Sequence, residues 1–142
     1  MDDTLIPAPT RRVLVVDDEP TIRIALRRFF ARMGWQVDEA ADGRAALELL
    51  LADSPDPAEL PFSIVLSDLR MPGLSGIDLY ERLRLERPAV LSRLIFSTGD
   101  VVSEDAAAFV EATRCTVLQK PFELAALRDL VERVVATPIS IG

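Results

Sequence analysis

Short β-branched runs alternate along the chain with longer segments whose apolar residues recur every three or four positions. The runs are Arg12–Val16 (RVLVV), Trp35–Ala40 (WQVDEA), Phe62–Ser67 (FSIVLS), Leu94–Thr98 (LIFST) and Thr116–Gln119 (TVLQ). Their length and branching predict strands. Between them, Ile22, Leu26, Phe29 and Met33 fall at helical steps behind Pro20, and Gly34 supplies a stop. A second helix is predicted over about 42–52, a third over about 75–87 ending before Pro88, and a short alanine-rich fourth near 103–112. A fifth is predicted over about 123–136, with Leu124, Leu127, Val131 and Val134 on one stripe.

Five strands alternating with five helices predict an α/β fold of right-handed βαβ units, with a parallel sheet covered on both faces. Residues 1–11 read as a leader, 12–136 as one domain, and 137–142 as a short tail with no second domain behind it. Asp53–Pro61, carrying three prolines, predicts an irregular connection.

Composition narrows the function classes. The 142 residues carry a formal net charge of −7. That balance argues against direct nucleic-acid binding, which needs clustered Lys and Arg, and against a basic membrane-surface helix. Cys115 is the single cysteine and there are no histidines. An internal disulfide, a thiolate or imidazole metal site, a Ser–His–Asp set and an intrinsic phosphohistidine are therefore all excluded. No stretch approaches the roughly 18 apolar residues of a membrane span, so the expected location is the cytoplasm.

The candidate chemistry lies at the strand ends. In open parallel α/β sheets, ligands bind outside the carboxyl ends of the strands. Here the first strand ends in Asp17-Asp18-Glu19, the third in Ser67-Asp68, the fourth in Ser97-Thr98-Gly99-Asp100 and the fifth in Lys120-Pro121. Crowded carboxylates destabilise one another unless a cation compensates them. Oxygen ligands with open positions suit Mg2+. A magnesium site flanked by a further carboxylate, a hydroxyl and an ammonium is suited to phosphoryl transfer, with Asp68 as the natural nucleophile.

The strings VLVVDDEP, VLSDLRMPGLSG, LIFSTGD and LQKPF, in this order and spacing, resemble the receiver domain of two-component response regulators over about residues 12–136. The resemblance implies a flavodoxin-like doubly wound (βα)5 fold with strand order 2-1-3-4-5. It implies Asp68 as phosphoacceptor, Asp18 as a direct Mg2+ ligand, Asp17 as an acid acting through a metal-bound water, and the backbone carbonyl of Arg70 as the third protein ligand. Thr98 matches the switch hydroxyl, and Lys120 matches the lysine that pairs with phosphoryl oxygens, with a cis bond to Pro121. The implied partner is a sensor histidine kinase or histidine phosphotransfer protein, docked on the first helix with its Arg23, Arg27, Arg28 and Arg32. A phosphorylation-dependent dimer is a further implication. One position departs from the pattern: Val117 stands where many receivers carry an aromatic that moves with the switch threonine. The signal is then expected to travel through the backbone around 98–102, with Arg70 and Asp100 tuning the phosphate lifetime.

Plainer readings exist for each residue. The aspartates could be solvated strand ends, Lys120 an ordinary surface lysine, Cys115 a small core residue, and Glu19 a bystander near a helix N-terminus. Other functions compete as well. An aspartyl-nucleophile hydrolase of the haloacid-dehalogenase type would need a DxD motif on the first strand, which is absent. A pseudo-receiver without phosphorylation usually lacks a site residue, and a flavodoxin would not place acids at its phosphate turn. A stand-alone receiver, a phosphorelay intermediate and the receiver of a hybrid sensor kinase all fit the sequence.

Overall fold

The computed structural model describes residues 11–52, 61–99 and 103–136. The expected leader (apart from Arg11), the tail, most of the proline-rich connection and Asp100 lie outside the described residues. The strands are β1 (Arg12–Val16), β2 (Gln36–Ala40), β3 (Ile64–Asp68), β4 (Leu94–Thr98) and β5 (Thr116–Gln119). The helices are α1 (Pro20–Arg32), α2 (Gly43–Leu50), α3 (Gly76–Glu86), α4 (Glu104–Thr113) and α5 (Leu124–Ala136). All strand pairs are parallel, in the order β2-β1-β3-β4-β5. This is the flavodoxin-like order expected from the sequence.

The strands sort their side chains by alternation, since successive residues point to opposite faces. Leu14, Val16, Val65 and Phe96 turn to the side carrying α2 and α3, where Leu47, Leu50, Leu79 and Leu83 meet them. Val13, Val15, Ile64, Leu66 and Ile95 turn to the other side, against Leu26, Phe29, Phe30, Leu127 and Val131 of α1 and α5. Both faces of β3 and β4 are buried, so these strands are apolar up to their polar ends. Edge strand β2 instead carries Asp38 and Glu39, paired with Arg12 at 2.6 Å and with Arg27 at 3.0 Å. Charged edges of this kind resist pairing with another chain.

Several details depart from the sequence pattern. β3 starts two residues later than expected and runs through Asp68, so the candidate nucleophile is the last strand residue. Asp42 and Ser75, expected as the first residues of α2 and α3, are their N-caps. Ser75 and Asp78 complete a reciprocal capping box. Phe30, outside the expected α1 stripe, is fully buried against Phe29 and Trp35. Leu124, expected on the α5 stripe, is about half exposed. An unforeseen 3-10 segment, Pro88–Arg93, follows α3. From there Arg93 donates to the carbonyls of Val134 and Val135, and Arg87 to that of Leu50, satisfying orphan carbonyls at two helix ends. Cys115 precedes β5 and packs half-buried against the core. No helix among the described residues is long and apolar enough to cross a membrane.

Candidate functional site

The parallel sheet brings the carboxyl ends of β1, β3, β4 and β5 to one edge of the domain. Asp17 follows β1 and its N–H donates to the Ala40 carbonyl at 3.1 Å. Its Oδ1 accepts the Glu19 N–H at 2.9 Å. Glu19 thereby serves as the N-cap residue of α1 through its backbone, while its side chain makes no capping bond among the described residues. Asp68 ends β3, where its register partner on β4 is Ser97. The Leu69 N–H continues the ladder to the Ser97 carbonyl at 3.0 Å. Ser67 Oγ donates to the Asp68 carbonyl at 2.9 Å, fixing the peptide after the candidate nucleophile.

Asp17, Asp18 and Asp68 converge, each offering a carboxylate oxygen within 4.8 Å of the others. Asp17 is 2% exposed and Asp68 8%, whereas Asp18 is open to solvent. Lys120 reaches in from the end of β5 and bonds Asp17 Oδ2 and Asp68 Oδ2, each at 3.2 Å. The bond from Lys120 to Pro121 is cis, as expected. Thr98, 2% exposed, ends β4, and its carbonyl accepts the Lys120 N–H at 2.8 Å. The five side chains singled out from the sequence thus lie at one strand-end crevice.

Burial raises the Asp68 carboxyl above its ordinary value; the Arg70 N–H and Lys120 oppose the rise, and the Asp17 charge adds to it. Lys120 titrates above its ordinary range. Burial alone would lower it, but Asp68 and Asp17 outweigh that cost. The two shifts are consistent because one ammonium is divided between two carboxylates: each acid receives partial compensation, and the base receives both charges. The crowding that suggested a cation from sequence is therefore partly relieved by Lys120 itself. Three carboxylates against one ammonium still leave an oxygen-only set with a surplus negative charge. Those donors fit a hard divalent ion such as Mg2+.

Other site contacts could not be read from the sequence. Arg23 donates to the Asp17 carbonyl at 2.6 Å and pairs with Glu39, so it holds the β1–α1 turn rather than presenting a free basic face. The Arg70 N–H donates to Asp68 Oδ1 at 3.2 Å, while its guanidinium bonds Ser103 Oγ at the N-cap of α4. The signal for Arg23 is only its place one turn into the helix behind an acidic turn. Nothing in the sequence marks Arg70 and Ser103 as neighbours.

A doubly wound parallel domain with an acidic strand-end crevice and a lysine across it defines a class of flavodoxin-like signalling domains. The chain belongs to the response regulator receiver domain family, whose profile matches residues 13–132. It is 31% identical over 124 residues to sporulation initiation phosphotransferase F of Bacillus subtilis, covering 86% of this chain and 91% of that protein. It is 38% identical over 123 residues to response regulator MprA of Mycolicibacterium vanbaalenii, covering 87% of this chain but 48% of the relative. The chain thus spans about half the length of several relatives it matches. Among solved structures, a response regulator receiver protein from Pseudomonas putida aligns with a TM-score of 0.74 at 29% identity, covering 89% and 99% of the two chains. Response regulator TrrA of Thermotoga maritima, solved in complex with Mg2+ and BeF, aligns with a TM-score of 0.71 at 25% identity, covering 88% and 99%. Receiver domains are phosphoacceptor signalling domains, and binding of Mg2+ in an acidic pocket is general in the family.

Proposed function

We propose that this domain accepts a phosphoryl group from a partner's phosphohistidine onto Asp68, and that the modification alters the surface it offers to partners. The observation that carries the reading is the convergence of Asp17, Asp18 and Asp68 within 4.8 Å, with Lys120 bonded to both buried acids.

Asp17, Asp18 and Asp68, with the Arg70 backbone carbonyl, would hold Mg2+. Bound there, the ion would neutralise charge on the phosphoryl oxygens. Asp68 supplies the nucleophilic oxygen: its bond to phosphorus forms as the phosphorus–nitrogen bond of the phosphohistidine breaks, and the imidazole nitrogen departs with that electron pair. The Arg70 N–H and Lys120 favour the ionised carboxyl that attack requires. Once Asp68 carries the phosphoryl group as an acyl phosphate, Lys120 can follow the charge onto the phosphoryl oxygens. Thr98 supplies a hydroxyl at the same edge. The domain assists its own phosphorylation and slow dephosphorylation, and does not turn over a separate substrate.

The donor is a sensor histidine kinase or histidine phosphotransfer protein. An apolar groove of about 570 Å3, lined by Thr21, Ile22, Ala25, Leu26, Phe122 and Leu124, runs beside Lys120 and suits its histidine-bearing helix. Because Arg23 and Arg27 engage Glu39, these apolar residues, more than the basic face, support docking on α1. The location proposed is the cytoplasm, with Arg12–Ala136 as the receiver. The half-length coverage of MprA leaves the whole protein's output open to either a stand-alone receiver or part of a longer chain, including a hybrid kinase.

The test is incubation with Mg2+ and acetyl phosphate, read by intact mass. The expected result is a gain of one phosphoryl group, abolished by Asp68→Asn and by chelation. A chain that gains nothing, or an Asp68→Asn variant that still gains, overturns the reading.

A further inference from the structure

We propose that Arg70 and Ser103 form a latch between the Asp68 loop and α4, and that a phosphoryl group on Asp68 opens it by drawing away the guanidinium. The latch rests on the phosphoacceptor reading of Asp68 and adds how the change leaves the site.

The root of the Arg70 side chain is fixed at the phosphoacceptor, since its N–H donates to Asp68 Oδ1 at 3.2 Å. Its guanidinium crosses to the next loop and donates to Ser103 Oγ. The same oxygen accepts the Ala106 N–H at 3.4 Å and so caps α4. One hydroxyl therefore joins the Asp68 loop to the first turn of a helix more than thirty residues away in sequence.

Beneath that turn lies a cavity of about 300 Å3, lined mainly by Leu69, Thr98, Ala106, Ala107, Val110 and Val117. The pocket is open to solvent, so its largely apolar lining faces water, and covering it is favourable. α4 is anchored mainly by Phe109, which packs edge-on against Tyr80 and Phe96. Ala106 is its one fully buried residue, so its first turn is held less firmly than its middle. Val117 is too short to fill the space. The helix can fill it by settling onto Leu69 and Val117, and Thr98 stands on the cavity wall at the site edge.

Ser103 and a phosphoryl group differ in strength as partners of Arg70. A serine hydroxyl is neutral, whereas a phosphoryl group is anionic and matches the guanidinium fork with paired oxygens. When Asp68 is modified, Arg70 exchanges Ser103 for the phosphoryl oxygens. Ser103 keeps its cap on α4 but releases the tie to the Asp68 loop, and α4 moves to close the cavity.

The test is backbone amide NMR of the full 142-residue chain with Mg2+, titrated with beryllofluoride as the phosphoryl mimic. In the parent, amides of Asp68–Arg70 report occupancy, and those of Ala107 and Val110 are expected to move with them. Ser103→Ala breaks the latch, and Ala107 and Val110 should already lie displaced toward their occupied positions before the mimic is added. Ser103→Asp keeps a capping acceptor and offers Arg70 a carboxylate. There the α4 amides should lag site occupancy, needing about threefold more mimic than the Asp68 loop, the size of an exposed Arg–carboxylate pair. Val117→Phe fills the cavity, so the Asp68 loop should respond while α4 stays in place. The latch is overturned if α4 amides track occupancy identically in the parent, Ser103→Ala and Ser103→Asp. A parent whose Asp68 loop does not respond at all would instead overturn the phosphoacceptor reading beneath it.

Discussion

The Lys120 ammonium stands 3.2 Å from Asp17 Oδ2 and 3.2 Å from Asp68 Oδ2, one cation divided between two buried acids from different strands. Before any metal binds, this contact limits the cost of burying both carboxylates. Lys120→Met would remove it. Breaking a buried pair by deleting one partner costs about 3–5 kcal/mol, but Lys120 is partly exposed and Asp68 can protonate. The expected loss in EDTA is therefore about 1–3 kcal/mol, measured by urea denaturation. The variant should also gain more than the parent from added Mg2+, because an ammonium no longer opposes the ion. Equal stability of the two metal-free proteins would show that Lys120 is not the compensating charge.

Asp18 is exposed where Asp17 and Asp68 are buried, so solvent already screens its repulsion with Asp17. Asp18→Ala is expected to leave the metal-free protein unchanged or slightly more stable, within about 0.5 kcal/mol. The same substitution should remove most of the stabilisation by Mg2+. Selective binding to the native state is worth about 2.7 kcal/mol at a hundredfold excess over the dissociation constant. Thermal melts across a Mg2+ series measure both effects. A metal-free variant clearly less stable than the parent would rule out repulsion at this turn.

Much of this arrangement was legible in the sequence, for identifiable reasons. Alternation in RVLVV and its counterparts tells which residues enter which face of a sheet, and strand ends in a parallel sheet share one edge by topology. Asp17, Asp18, Asp68, Thr98 and Lys120 could therefore be gathered without coordinates. Contacts set by packing angles could not. The sequence groups Arg23 with Arg27, Arg28 and Arg32 as a docking face, because only the fold brings Glu39 of β2 beneath α1. Phe30 escaped the α1 stripe because Trp35 and the sheet together widen the buried face. The Pro88–Arg93 segment read as a plain helix stop, since proline can end a helix or begin another turn. The sequence places the Lys120 ammonium at the acidic crevice, but which carboxylates it bonds before phosphorylation depends on burial that no linear motif encodes.

The raised Asp68 carboxyl gives a pH signature with a definite sign. A group raised on folding contributes stability below its unfolded value, here the ordinary 3.8, and loses that contribution as pH rises through the folded value. At about pH 7 without Mg2+, Asp68→Asn should therefore be more stable than the parent, with the gap narrowing toward about pH 4. Lys120 acts at the other end. Its contribution is present below 10.5 and lost as pH rises through its raised folded value. Urea midpoints across the pH range, compared among the parent, Asp68→Asn and Lys120→Met, separate the two groups. A gap for Asp68→Asn that widens on acidification would contradict the burial argument.

Gly76 tests how closely the backbone must pack to aim Asp68. It opens α3 and donates to the Leu69 carbonyl at 3.0 Å. A Cβ at this position would lie 2.7 Å from the Asp68 carbonyl oxygen and 2.8 Å from Leu69 Cα. Both are backbone atoms fixed by the β3–β4 ladder, so neither can swing aside. Gly76→Ala is expected to cost about 1–3 kcal/mol through overpacking and to slow acetyl phosphate labelling by shifting the peptide that follows the nucleophile. Gly73→Ala is the matched control. There the cost is a left-handed φ of +75°, with no atom within 4 Å of the added carbon. Its penalty of about 1–2 kcal/mol falls on the loop and not on Asp68. Labelling rates corrected for the folded fraction should drop for Gly76→Ala and stay near the parent for Gly73→Ala. Equal rates in the two variants would mean that α3 packing stabilises the domain without positioning the phosphoacceptor.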